Sequence, residues 1–394
     1  MKTVVILGGA GHIGLPLGLV IASKNIKVIA LDKNESAVEE INKGAMPFLE
    51  SGAQELLESV LSKGNFSATT NPAVISNADI LMICIGTPID EHLSPVPRIF
   101  VDFLEEIRPY LKNGQLLIFR STVYPGTTRL AEEVLKGSGV DIAYCPERIL
   151  QGKAVEEIQV LPTIVSAISD KALDRSVEFF SLIAPVVTSS IEEAEFAKLF
   201  LNTFRYIEFA TTNQLYTIAN DAGVDYSKVL DLMKFGYPRA NHLPGPGLTA
   251  GPCLMKDTMQ FVAYSQNNFT LGSAAFFANE GLALYIVRKI KEQRYLRGLR
   301  VGLLGMSFKA NNDDIRSSLS YRVKKAFMLE GALVLCSDYL VKTDATLVSS
   351  SQAIDESELI IICTPHDQYK GLDFKGKPVV DVWNLLQAGN RIRV

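Results

Sequence analysis

At 394 residues the chain is long enough for two or three domains of about 150 residues each. Hydrophobic residues make up 47% and charged residues 21%, the balance of a soluble globular protein. A net charge of −4 without basic runs argues against nucleic acid as a partner. No uninterrupted apolar stretch reaches the roughly 18 residues of a bilayer span, and a first strand beginning at Thr3 leaves no room for a signal peptide. Five scattered cysteines without a CxxC fit a reducing cytoplasm, and four dispersed histidines have no metal-ligand spacing, so no metal is expected.

Residues 3–8 (TVVILG) read as a strand, 12–24 as a helix and 26–32 (IKVIALD) as a second strand. Helices are expected near 35–43 and 52–62, a strand at 79–85 (DILMICI) and a helix at 99–111. A strand at 115–121 (QLLIFRS), a helix near 127–136 and a strand at 140–145 follow. Short apolar strands alternating with helices predict a parallel sheet covered on both faces. From about 190 the pattern becomes all-α. The stretch 190–222 has no proline, helices are expected at 227–234, 254–264 and 272–293, and a Gly/Pro loop covers 236–252. The opening pattern then returns in LRVGLLG (299–305), ALVLCSD (332–338), LIIICTP (359–365) and PVVDVWN (378–384). The expected fold class is α/β: two doubly wound parallel-sheet (Rossmann-like) domains, 1–188 and 296–394, joined by a helical segment, 189–295.

Gly9-Ala10-Gly11-His12-Ile13-Gly14 is a complete G-x-G-x-x-G between an expected strand and an expected helix, the context that makes this motif specific. Gly9 is assigned the tight turn, Gly11 the close approach to a pyrophosphate and Gly14 the packing of helix on strand. The helix N-terminus supplies amide donors. Asp32 ends the second strand, where a carboxylate accepts from ribose hydroxyls and repels a 2′-phosphate. NAD is therefore favoured over NADP, with Lys33 working weakly against that choice. The C-terminal repeat keeps only Gly302 and Gly305, which fits a nucleotide without a second dinucleotide site.

Cys84, Cys145, Cys336 and Cys363 each adjoin an apolar run and read as core. Cys253 follows the Gly/Pro loop and precedes Lys256-Asp257. It reads either as a nucleophile or as packing at a loop–helix joint. A helix starting at the cysteine would set the thiol near terminal amides, with Lys256 and Asp257 on its face, and favour the thiolate. Lys198 and Asn202 lie four apart on the long helix, with Glu195 on the same face: an oxyanion site, or a solvated stripe. Glu147 and Arg148 follow one strand and Thr122 another, at ends where ligands meet parallel sheets. A surface charge pair and a helix cap are the plain alternatives.

GGAGHIGLPLG (8–18), IGTP (85–88), STVYPGTT (121–128), PERILQGK (146–153), EAEFAKLFLNTFR (193–205), GPGLTAGPCLMKDT (245–258), GMSFKANNDDIRSS (305–318) and Asp338 occur in one order. Together they resemble the nucleotide-sugar 6-dehydrogenase family, of the UDP-glucose and UDP-N-acetylmannosamine type, over nearly the whole chain. The resemblance implies oxidation of C6 of a UDP-sugar to the uronic acid with two NAD. Cys253 would attack the C6 aldehyde to give a thiohemiacetal and then a thioester, which water hydrolyses. Lys198 and Asn202 would support the oxyanion, and Asp257 and Thr122 would position or activate water, with Glu147 also at the centre. Gly9, Gly11, His12, Ile13, Gly14, Asp32, Lys33, Thr87, Thr122 and Arg316 would hold NAD. Glu147, Arg148, Lys198, Asn202, Arg239, Gly245, Gly247, Gly251 and Lys309 would hold the sugar nucleotide, with Asp314 orienting its basic neighbours. The resemblance further implies a cytoplasmic homodimer, paired through the central helices, serving polysaccharide biosynthesis.

The chain also departs from the family pattern. GPGLTAGPC is poorer in glycine than the family's GxGxGGxC, so Thr249, Ala250 and Pro252 are expected to reshape the sugar pocket. Gln151 stands where the UDP-glucose branch often has a glutamate, which puts more of any proton transfer on Glu147, and Gln214 replaces a glutamate on the long helix. PER with a following GK resembles the N-acetylhexosamine branch and CLMKDT the UDP-glucose branch, which leaves the sugar open. Two other readings stand: a two-electron hydroxyacid or alcohol dehydrogenase, which needs no cysteine, and a non-catalytic NAD- and nucleotide-sugar-binding protein.

Overall fold

Val4, Val5, Ile6 and Leu7 of strand β1 (Thr3–Leu7) are all buried, as a central strand covered on both faces requires. The computed structural model describes residues 2–249 and 251–394 and divides into two units, 1–201 and 202–394. In the first, α1 (Gly14–Ser23), β2 (Lys27–Leu31), α2 (Glu35–Asn42), α3 (Ala53–Ser62), β3 (Phe66–Thr69), β4 (Ile80–Ile83) and α4 (Pro97–Ile107) follow β1. Then come β5 (Leu116–Phe119), α5 (Thr127–Val134), β6 (Asp141–Tyr144), α6 (Ala154–Val160), β7 (Thr163–Ala167), α7 (Asp170–Phe180) and β8 (Val186–Thr188). The eight strands form one sheet in the order β3-β2-β1-β4-β5-β6-β7-β8. Every pairing is parallel except β6 with β7, so the sheet is not wholly parallel as the alternation implied.

Side-chain alternation divides the core of this unit. Val4 and Ile6, with Met82, Ile118 and Ala143, pack with α1, α3 and α7 on one face. Val5 and Leu7, with Leu81, Leu117 and Tyr144, pack with Phe100 and Leu104 of α4 on the other. The expected elements recur with their ends trimmed by one or two residues in most cases. The exceptions lie where no element was expected: β3 at Phe66–Thr69, and α6, β7, α7 and β8, which fill 154–188. Ser169 caps α7 by accepting from the Ala172 N–H, a serine N-cap readable in the sequence.

Helix α8 (Ile191–Asp221) is the unbroken run foreseen, and the boundary between the two units falls within it. The second unit continues with α9 (Tyr226–Lys234), α10 (Leu254–Tyr264) and α11 (Thr270–Lys291). A four-stranded parallel sheet, ordered β10-β9-β11-β12, is built from β9 (Arg300–Leu304), β10 (Leu333–Ser337), β11 (Leu359–Ile362) and β12 (Val379–Val380). α12 (Ser320–Leu329) and α13 (Ser350–Glu356) cover it. β12 is two residues long, not the seven of 378–384. The Asp381 carboxylate accepts from the Leu386 N–H, and Asn384 adopts a left-handed φ of 56°, which turns the chain. By length and composition α11 could cross a bilayer, yet Leu282, Ala283, Ile286, Val287 and Ile290 are buried in the core of this unit, so it reads as a core helix.

Candidate functional site

The dinucleotide fingerprint folds as a strand, a glycine turn and a helix. The positive φ falls on Gly8, at 79°, and not on Gly9. Gly9 is instead needed for packing, since a Cβ there would come 2.6 Å from the Ala30 Cα, and a Cβ on Gly14 would overlap the Gly8 carbonyl. Ile13 offers α1 no side-chain cap, so the first-turn amides face the glycine turn. His12 stacks on Phe48 at 4.0 Å. Asp32 accepts from Ala10 N–H at 3.0 Å and from Asn34 N–H at 3.1 Å, one bond on each oxygen, which leaves lone pairs for a ribose. This turn, these amides and this carboxylate fit NAD. Lys33 pairs with Glu106 at 2.8 Å on the surface. Asp32→Ala is expected to raise KM for NAD about tenfold or more with kcat little changed, measured by initial rates.

The repeat in the second unit has put its acid to another use. Asp338 stands after β10 as Asp32 stands after β2. Its Oδ2 accepts from Met306 N–H, Ser307 N–H and His366 Nε2, and its Oδ1 from Leu340 and Val341 N–H. Burial alone would raise the Asp338 carboxyl, but the hydrogen bond from His366 and the backbone donors hold it below the ordinary value. Asn311 N–H donates to His366 Nδ1, so Nε2 carries the proton facing Asp338. The carboxylate is consumed in folding the Met306–Asn311 turn that carries Lys309.

Within the first unit the structure brings Thr87 and Thr122 together, the Thr87 hydroxyl donating to the Thr122 carbonyl. Glu195 holds the same loop: its carboxylate accepts from Gly126 N–H at 2.6 Å, Thr128 N–H at 2.9 Å and the Thr128 hydroxyl at 2.6 Å, at the start of α5. Burial pushes the Glu195 carboxyl up despite these donors. Glu147 forms a buried ion pair with Arg120, and its other oxygen accepts from Arg148 N–H at 2.8 Å and Ile149 N–H at 3.2 Å. Arg148 turns aside and donates to the Pro162 carbonyl. Glu50, unremarked in the sequence, caps α6 by accepting from Gly152 and Ala154 N–H, each at 2.7 Å, and so fixes the loop holding Gln151. Lys198 is buried on α8, one turn before Asn202.

In the second unit Cys253 is exposed at the N-cap of α10, where the helix was expected to start. The other cysteines are core: burial pushes the Cys84 and Cys145 thiols up to about 12 and Cys336 to about 11, and raises Cys363 as well. Asn202 Nδ2 donates to Asp257 Oδ2 at 2.6 Å, and Lys256 Nζ pairs with Asp257 Oδ1 at 2.6 Å. Lys256 thus pairs with the carboxylate, and Arg316 is a cation whose charge reaches the thiol. Its guanidinium is held above its ordinary value first by hydrogen bonds to Asp314, then by the Asp314 charge and by Cys253. Attraction is mutual, so Arg316 favours the thiolate, as does the helix N-terminus. Gly247 and Gly251 are packed against Trp383 and Phe308, while Gly245 is open. Arg239 is exposed and lies over Tyr237 at 4.8 Å. Ala250 lies outside the described residues.

Three family models match in order: the UDP-glucose/GDP-mannose dehydrogenase family NAD binding domain over residues 1–181, its central domain over 192–279 and its UDP binding domain over 302–388. UDP-N-acetyl-D-mannosamine dehydrogenase of Methanocaldococcus jannaschii is 30% identical, over 96% of this chain and 91% of its own length. The UDP-glucose dehydrogenase structure from Pyrobaculum islandicum superposes with a TM-score of 0.88 at 28% identity, covering 97% of this chain and 94% of that one. The Staphylococcus aureus UDP-N-acetyl-mannosamine dehydrogenase Cap5O superposes with a TM-score of 0.86 at 25% identity, over 98% and 95%. The chain belongs to the UDP-glucose/GDP-mannose dehydrogenase family and is an NAD-dependent nucleotide-sugar dehydrogenase.

Proposed function

We propose that the protein oxidises C6 of a UDP-sugar by four electrons to the uronic acid, through a covalent adduct on Cys253. The observation that carries this reading is the exposed thiol at the α10 N-cap, inside the field of Arg316 and four residues before a buried Asp257 held by Asn202. A two-electron dehydrogenase needs no such thiol. Bound NAD supplies the hydride acceptor, one molecule for each two-electron step. The chain's own residues do the rest. The Cys253 thiolate adds to the C6 aldehyde, and the resulting alkoxide is stabilised by the Lys198 ammonium and the Asn202 amide. After the second oxidation the carbon is a thioester. Asp257, with Thr122, orients the water that attacks it, and Cys253 leaves as the thiolate that begins the next cycle. Glu147, with both oxygens engaged, is better suited to orient substrate than to carry protons.

Lys309, on the turn that Asp338 folds, and Arg239 are the cations for the diphosphate. The turn at 241–251 forms the sugar-facing loop. Relatives named for UDP-N-acetyl-D-mannosamine support an N-acetylhexosamine substrate, and the UDP-glucose dehydrogenase structure supports glucose. The apolar side chains Phe204, Leu215 and Ile218 of α8 and Phe277 and Leu284 of α11 are exposed, and their burial between two copies supports a homodimer through the central helices. The helical section would then be a domain of its own, 189–295, and the enzyme a cytoplasmic one of polysaccharide biosynthesis. The test is NADH yield and product mass across UDP-glucose and the three UDP-N-acetylhexosamines. Two NADH per sugar with acid product is the expected result. One NADH with a stable aldehyde would overturn the reading.

A further inference from the structure

Asn213 sits on α8 and is 1% exposed. Its amide makes two bonds to a single residue of the loop before Cys253. Nδ2 donates to the Gly247 carbonyl at 3.1 Å, and Oδ1 accepts from the Gly247 N–H at 2.9 Å. Nδ2 also donates to Asn279 Oδ1 at 2.9 Å, and Asn279 Nδ2 donates to the Tyr206 carbonyl at 3.0 Å. This network fixes the orientation of both amides. A flipped Asn213 would set oxygen against the Gly247 carbonyl and Asn279 Oδ1. Asn279 is fully buried, so none of these groups has water to fall back on.

The loop is held on its other side as well. A Cβ at Gly247 would overlap the Trp383 ring, whose Nε1 donates to the Cys363 carbonyl at 2.9 Å. Leu248 is buried in the core of the second unit. Gly251, at φ 114°, lies against Phe308, where a Cβ would come 2.7 Å from the ring. Phe308 N–H in turn donates to the carbonyl of Asp314, the residue whose carboxylate grips Arg316. A segment of Gly, Pro and Ala has little side-chain mass to fix its own path, so these contacts set where it delivers the thiol.

We propose that Asn213 is a positioning residue for the reaction: by clamping both polar groups of Gly247 it sets the path of the loop and places Cys253 at the start of α10. Trp383 is the wall against which the clamp closes. This inference rests on the reading of Cys253 as nucleophile, and it goes beyond it by naming what holds the nucleophile in register.

The test compares Asn213→Leu with Asn220→Leu. Asn220 lies on the same face of α8, two turns on, and is equally buried in polar bonds to Tyr285 and the Ile392 N–H. Both variants lose stability, so melting alone does not discriminate. The readout is alkylation of Cys253 by iodoacetamide across pH, with Cys253→Ala as the blank, at a temperature where both variants are folded. Asn213→Leu is expected to slow alkylation about fivefold or more at neutral pH, because the thiol leaves the field that favours its thiolate. Acid formation should fall about a hundredfold with aldehyde released, as a small misplacement does. Asn220→Leu should alkylate as the wild type does. Equal alkylation in all three proteins overturns the proposal. If Asn213→Leu does not fold, Asn213→Ser decides: the shorter polar side chain takes away both bonds to Gly247, and wild-type alkylation there also overturns the proposal. Acid formation by Cys253→Ala would instead sink the covalent reading and leave the alkylation result standing.

Discussion

Cys253→Ala is expected to lower kcat for uronic acid by at least about a thousandfold, the scale of loss when a covalent nucleophile is removed. NAD binding should be untouched, since the glycine turn and Asp32 belong to the other unit. The thiol is exposed, so its loss should leave stability within about 0.5 kcal/mol. The reason the loss is large is chemical. A free C6 aldehyde offers no good path to a second oxidation until a nucleophile has added to it, and the thiolate is the group that adds and later leaves. Cys253→Ser tests this more narrowly. A hydroxyl at the same N-cap is not ionised at neutral pH, so it should add poorly, and any ester formed should hydrolyse slowly. The measurement is acid by mass and NADH by absorbance over single and multiple turnovers. Undiminished acid formation by Cys253→Ala excludes the covalent route.

What the sequence revealed divides by the distance between partners. The fingerprint was legible because its work is done by six consecutive residues, Gly9 to Gly14, in a known local context. The start of α10 was legible for the same reason: a Gly/Pro loop yields to an apolar-periodic segment at Cys253. Gly9 lies in the turn of the fingerprint and has no room for a Cβ, but the positive φ beside it, on Gly8, was not legible, because only the fold decides which of two adjacent glycines takes it. The cation beside the thiol was read as Lys256 from helical spacing. In the folded chain Lys256 also pairs with its neighbour Asp257, and Arg316, far off in sequence, adds its charge at the thiol. The groups that hold the site were invisible for the same reason. Arg120 meets Glu147 across 27 positions, Thr128 meets Glu195 across 67 and Gly247 meets Asn213 across 34. No periodicity records such pairs. The section 154–188 was missed on different grounds: its elements are short, and β7 reverses direction in a sheet whose other pairings are parallel.

Arg120→Met is expected to cost about 3–5 kcal/mol of stability, the scale for breaking a buried ion pair from one side. Arg120 is 3% exposed and Glu147 11%, and the guanidinium lies 5.0 Å from the Phe180 ring centroid; Arg120 follows β5, with Cys84 and Cys145 following the strands on either side of it, β4 and β6. Methionine would fill the apolar space beside Phe180 but leave the Glu147 carboxylate without its cation. The decisive comparison is the double variant Arg120→Met with Glu147→Leu. Replacing both charges by apolar groups of similar volume is often neutral for stability, so the double variant should recover most of the loss. Urea unfolding of the four proteins of this cycle gives the coupling, expected at about 2 kcal/mol or more. A coupling near zero would mean the pair contributes nothing specific. Activity should not recover with stability. If Glu147 orients the sugar, the double variant should be folded and still poor in acid formation, with KM for the UDP-sugar raised. That separation assigns the pair two roles that a single substitution confounds: the arginine keeps the carboxylate in place, and the carboxylate meets the substrate.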